Sequence, residues 1–164
     1  MKSSDKVLIG IVVGIVLLIV VALVVTMNRP EAGFVADDNP EGVVNNYLFA
    51  LREEDYERAY SYLSPNVYHY PRSVSDFRLA VKNNSYRFRT GYDVEISIED
   101  STISGKRATV TVQESRFYGG DLFSSGQSVY SFDMELELYG NDWKIIESYY
   151  YFAYCWTNIK SDCY

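Results

Sequence analysis

Few side chains in this sequence could do acid–base, nucleophilic or metal chemistry. Its 164 residues include one histidine, two cysteines and 16 tyrosines. Proton abstraction needs a carboxylate or an imidazole whose pKa is tuned by an apolar cavity. His69 lies in Val67-Tyr68-His69-Tyr70-Pro71, a loop composition, and reads as a surface histidine. Asp93, Glu95, Glu99, Asp133, Glu135 and Glu137 alternate with apolar residues, so they face away from the core. Spacing places no acid–base pair in an interior, so the sequence predicts no enzyme and no catalytic residue. Two cysteines cannot complete a structural zinc site, and no D-x-D-x-D-G calcium loop is present. No metal or other cofactor is therefore expected.

Tyrosine usage is the anomaly. Tyr47, Tyr60, Tyr92, Tyr130 and Tyr149 fall at core-facing positions by period and are the ligand-pocket candidates. Rings with hydroxyl tips would hold a small apolar ligand or a glycan, although the same rings also fill ordinary cores. Tyr149-Tyr150-Tyr151-Phe152, with Tyr154 and Trp156, is hard to bury entirely and would suit a homodimer interface. Cys155 and Cys163 bracket a short segment. Outside the membrane a disulfide between them is expected, closing a loop worth about 2.5 kcal/mol in chain entropy.

These residues sit on two kinds of sequence. Val7 to Met27 carries no charge and would make a helix of roughly 31 Å, the thickness of a hydrocarbon core. The sequence predicts a single transmembrane helix there, an uncleaved signal anchor, because the run is too long for a signal-peptide core. Lys2 and Lys6 precede it, which puts residues 1–6 in the cytoplasm and the C-terminal domain outside the cell membrane. Gly10 and Gly14 form a G-x-x-x-G pair that would be a transmembrane dimer contact. Residues 28–38 read as a stalk and residues 39–164 as one domain. The formal net charge of −7 argues against nucleic-acid binding.

Within that domain Asn39 can cap a helix with Pro40 in its first turn, and Val43, Val44, Tyr47, Leu48 and Leu51 share its inner face. Tyr56, Ala59, Tyr60 and Leu63 mark a second helix stopped by Ser64-Pro65, and Ser73 with Asp76 opens a third. The period then changes to two. Tyr92 to Ile98, Ala108 to Val112, Tyr130 to Leu138 and Trp143 to Phe152 read as four strands, the last covered on both faces. Helices followed by antiparallel strands give an α+β fold, three helices packed on a curved four-stranded antiparallel sheet and preceded by the single membrane helix.

NPEGVVNNYLFALREEDYERAYSYLSP, then SVSDFRLAV, then four strands ending in GNDWKIIE, resembles the nuclear transport factor 2-like superfamily over roughly residues 39–152. The resemblance implies a cone-shaped α+β domain, similar to small bacterial membrane-anchored extracytoplasmic domains. Its enzymes work inside the cone, but the fold also hosts binders and scaffolds. The expected function is a membrane-anchored, non-catalytic module that binds a ligand or a protein. The alternatives are a structural subunit of a cell-envelope or secretion complex, and an enzyme on a small hydrophobic substrate.

Overall fold

The computed structural model describes residues 3–27, 33–89, 94–118 and 126–158. The chain divides into two compact units, Met1–Ala32 and Gly33–Tyr164. The first is the helix α1, Ser3–Met27. Its side chains are described over residues 9–24, and all of those are exposed. Among the described residues no helix is long and apolar enough to cross a membrane. The expected span over residues 7–27 is corrected on that finding. The signal anchor, the membrane as a partner, the orientation with a cytoplasmic N terminus and the envelope-subunit alternative all rested on the span and go with it.

In the second unit the helices start where their caps place them. Asn39 accepts from the Gly42 amide at 2.8 Å and opens α2, Pro40–Arg52. Asp55 accepts from the Arg58 amide and opens α3, Tyr56–Ser61. Ser73 accepts from the Asp76 amide and opens α4, Val74–Asn83. Residues 33–38, expected to be part of a stalk, are instead strapped to α2. The Asn46 amide pairs with both polar groups of the Val35 backbone, each at 2.8 Å, and Asn45 donates to the Gly33 carbonyl. Phe34 meets Phe49 edge-on, and the Arg58 guanidinium lies 3.3 Å over the Phe34 ring. The strap runs so close to α2 that a Cβ on Gly42 would sit 1.9 Å from the Ala36 carbonyl oxygen, which is why that position is glycine. Residues 28–32 of the expected stalk lie outside the described residues.

The strands β1 (Val94–Ser104), β2 (Arg107–Tyr118), β3 (Gly126–Tyr139) and β4 (Asp142–Ser148) form one antiparallel sheet in chain order. Helices packed against one antiparallel sheet give the α+β architecture expected from the sequence. Val43, Tyr47, Phe77, Val110, Met134 and Leu136 close the core between the layers. The outer edge of β4 is covered by the chain leaving α3, through Ser64 N–H to Ile145 O and Ile145 N–H to Tyr62 O. That removes one edge open to association. Glu137, expected to face solvent, is half-buried and accepts from Ser64 Oγ and Asn66 Nδ2 at this edge. Glu95, Glu99, Asp133 and Glu135 are exposed as expected, and Asp93 lies outside the described residues.

The last strand is shorter than its apolar run. It stops at Ser148, and three residues on Tyr151 adopts a left-handed backbone (φ 56°) that a continuing strand would not accommodate. The following residues turn inward, and a short helix α5, Tyr154–Thr157, brings Trp156 onto the Phe77 ring at 5.5 Å. Cys155 is buried there and is not a free thiol. Cys163 lies outside the described residues, and so does the expected Cys155–Cys163 pair.

The strap makes a direct stability prediction. Gly42→Ala should push residues 33–38 off α2 and cost about 2 kcal/mol, the scale of two lost hydrogen bonds and their packing. Urea unfolding measures the cost, and hydrogen exchange at the Val35 amide reports the strap. An unchanged midpoint with a protected Val35 amide would refute the role given to the close approach.

Candidate functional site

On β2 the inward positions Ala108, Val110 and Val112 are buried, and the next one is Glu114. Its register partners are Ile96 on β1 and Tyr130 on β3, so all three share the inner face. Glu114 is 1% exposed and is the one buried carboxylate among the described residues. An uncompensated carboxylate in such a place would cost several kcal/mol. Two residues compensate it. The Tyr151 hydroxyl donates to Glu114 Oε2 at 2.9 Å, and Arg89 Nε lies 3.6 Å from the same oxygen.

The backbone is bent to deliver both partners. Arg89 (φ 55°) and Tyr151 (φ 56°) are two of the four described non-glycine residues with a left-handed backbone. Such a conformation costs roughly 1–2 kcal/mol per residue for an L-amino acid. It persists only where surrounding contacts over-determine it. Those contacts are present. Tyr47 donates from its hydroxyl to the Tyr151 carbonyl at 2.6 Å, and the Tyr151 amide donates to the Arg87 carbonyl at 2.9 Å. The Arg89 guanidinium lies 3.9 Å over the Tyr150 ring, which meets both Phe132 and Tyr149 edge-on.

Toward this end of the sheet the inner face opens. Phe132 is 8% exposed, whereas Tyr130, two residues away on the same face, is 48% exposed. Tyr86, Tyr149 and Tyr154 are also exposed, and Arg87 lies over the rings of Tyr149 and Tyr154. The result is a mouth of tyrosine rings and guanidinium groups above a neutralised carboxylate. One oxygen of Glu114 is shared by a cation and a phenol, an arrangement suited to positioning those two side chains.

The five tyrosines expected to line a pocket divide between two places. Tyr130 and Tyr149 belong to the mouth. Tyr47 is fully buried, and Tyr60 donates to the Pro71 carbonyl and packs on Tyr70 and Phe77, so both are core residues. Tyr92 lies outside the described residues. His69 is exposed in its loop, with φ 48°. Among the described residues no group of three or more His, Cys, Asp or Glu side chains could hold a metal ion.

Glu114 is the residue that the sequence reading missed. Its signal was the alternation Ala108, Val110, Val112 carried one step further. Arg89 and Tyr151 had no such signal, because left-handed backbone at a non-glycine residue follows from tertiary contacts.

No protein-family model and no curated protein matches this chain. Solved structures similar to it include RPA3114, a SEC-C motif containing protein from Rhodopseudomonas palustris. That match has 15% identity and a TM-score of 0.48, and covers 70% of this chain and 80% of the other. AclR from Streptomyces galilaeus matches at 13% identity and a TM-score of 0.42, over 69% and 77% of the two chains. The intermembrane space region of the chloroplast protein ARC6 matches at 18% identity and a TM-score of 0.37, over 70% and 95%.

Two predictions follow from the cluster. Glu114→Leu leaves Arg89 buried without its counter-charge and should cost about 3–5 kcal/mol in urea unfolding. Adding Arg89→Met should restore most of that loss, and a double variant as unstable as the summed singles would contradict the pairing. The second prediction concerns alkali. Burial pushes the Tyr47 hydroxyl well above its ordinary 10.0. Burial, and then the Glu114 charge and hydrogen bond, do the same to Tyr151, against a smaller lowering by Arg89. A raised folded-state pKa means that the stability is fully present below pH 10.0 and drains away as the pH climbs above it. Absorbance at 295 nm should show Tyr47 and Tyr151 ionising only as the fold is lost, with Tyr47→Phe unfolding at higher pH. Ionisation of every tyrosine near pH 10 with the circular dichroism intact would contradict this.

Proposed function

We propose that residues 33–164 form a non-catalytic binding module that takes a small ligand or a protein segment at the tyrosine–arginine mouth of the inner sheet face. The observation that carries this reading is the Glu114 carboxylate, already engaged by Arg89 and Tyr151 beneath exposed rings. Tyrosine and arginine are the side chains that most often anchor binding surfaces, because they offer large rigid area with a polar edge. The element order also supports membership of the nuclear transport factor 2-like superfamily, in which function is set by the site.

A second reading has one observation in its favour. A buried carboxylate hydrogen-bonded to a phenol can serve as a base with an oxyanion partner. The cation beside Glu114 favours the first reading, since it stabilises the carboxylate where it is.

The test uses the full chain with p-cresol, indole and cyclohexanol as probes, followed by NMR of the tyrosine rings. Binding probes should shift Tyr130 and Tyr149 together, and Tyr130→Ala should weaken them about tenfold, the scale of one lost ring contact. Probes that bind while leaving both rings unmoved would overturn the assignment.

A further inference from the structure

Arg87 sits at the rim of the mouth, half-buried, with its guanidinium 4.9 Å from the Tyr149 ring centroid and 5.1 Å from that of Tyr154. Among the described residues no carboxylate pairs with it, in contrast to Arg52 with Glu53 and Arg89 with Glu114. This is a chain with 22 acidic and 15 basic residues, so carboxylates are not scarce. Rings take up guanidinium faces, whereas acceptors are taken at the planar N–H edge. That edge is a fork of donors that matches the two oxygens of a carboxylate.

The position is also pre-organised. The Arg87 carbonyl accepts from the Tyr151 amide at 2.9 Å, and the Tyr151 hydroxyl is bound to Glu114, so the rim is tied to the buried cluster. Arg89, two residues on, already has its counter-charge. The rings beside Arg87 are open to solvent, Tyr149 at 61% and Tyr154 at 48%. A carboxylate on a partly exposed arginine gains little by itself. A carboxylate carried on a flat apolar body gains ring contact as well.

We propose that Arg87, flanked by Tyr149 and Tyr154, is the subsite for the carboxylate of a small ligand with a flat apolar body. This rests on the binding role given to the mouth above. The experiment compares 2-naphthoate with its uncharged isostere 2-naphthamide, each titrated into the full chain. The readouts are calorimetry and the NMR signals of Arg87 Nε–Hε and of the Tyr130 and Tyr149 rings. Naphthoate should shift Arg87 Nε–Hε and bind at least about tenfold more tightly than naphthamide, the scale of one charge-assisted pair. Arg87→Gln should abolish the difference. Arg87→Lys, which keeps the charge and guards against a folding defect, should lose most of it because an ammonium lacks the fork. Equal binding of the two probes, or a naphthoate preference that survives Arg87→Gln, overturns the subsite. If the probes still move Tyr130 and Tyr149 in that case, the mouth stands and only the carboxylate assignment falls. If neither probe moves any of these rings, both fall.

Discussion

A carboxylate inside an apolar layer has to be neutralised, and in this domain that requirement organises one end of the fold. Glu114 is placed by strand periodicity alone, two residues beyond Val112 on the inner face. Once it is there, a cation and a donor must reach it. Arg89 and Tyr151 do so from opposite sides of the chain order, one shortly after α4 and the other shortly after β4. Both adopt left-handed backbone to make the contact. The strain is offset by the bonds that lock the two segments together, Tyr47 to Tyr151 and Tyr151 to Arg87.

The placement of the rings follows from this. β4 ends early and Tyr151 turns inward, so Tyr149 and Tyr150 are set at the lip where they meet each other edge-on. Because Arg89 turns inward, Tyr150 has a guanidinium to stack on and Arg87 is left at the rim. Recognition at the mouth and stability of the core are thus linked through a few shared atoms. The opposite side of the sheet, with Glu95, Glu99, Asp133 and Glu135 exposed, takes no part in that linkage.

What could be read from the sequence was whatever depends on short-range rules. The caps at Asn39 and Ser73 and the period-two strands came from local chemistry, and the sheet order followed from their sequence. The second helix, expected to run to Ser64-Pro65, ends at Ser61, and Leu63 bridges to Ile145 instead. Features that depend on distant contacts were not legible. The strap at residues 33–38 looked aperiodic because its partner is a pair of asparagines on α2, and the glycine that admits it lies inside a helix. The apolar run after Trp143 read as one long strand, because hydrophobicity does not reveal where a tyrosine will reverse the backbone. Of the site, Glu114 was passed over where the alternation turned from valine to a charged residue, and Tyr130 and Tyr149, expected by period to face the core, are exposed. The apolar N-terminal segment is helical, but among the described residues no helix is long and apolar enough to span a bilayer.

The central claim is that the buried carboxylate holds the mouth in shape. Its most direct test is the NMR spectrum of Glu114→Leu in the full chain, read at Arg87 and at the core. With Glu114 present, the Arg87 side-chain protons should be shifted upfield by the neighbouring Tyr149 and Tyr154 rings. On substitution that shift should collapse while the signals of Val43 and Leu136 in the core persist. Arg87 signals that keep their ring shift in the variant would contradict the account.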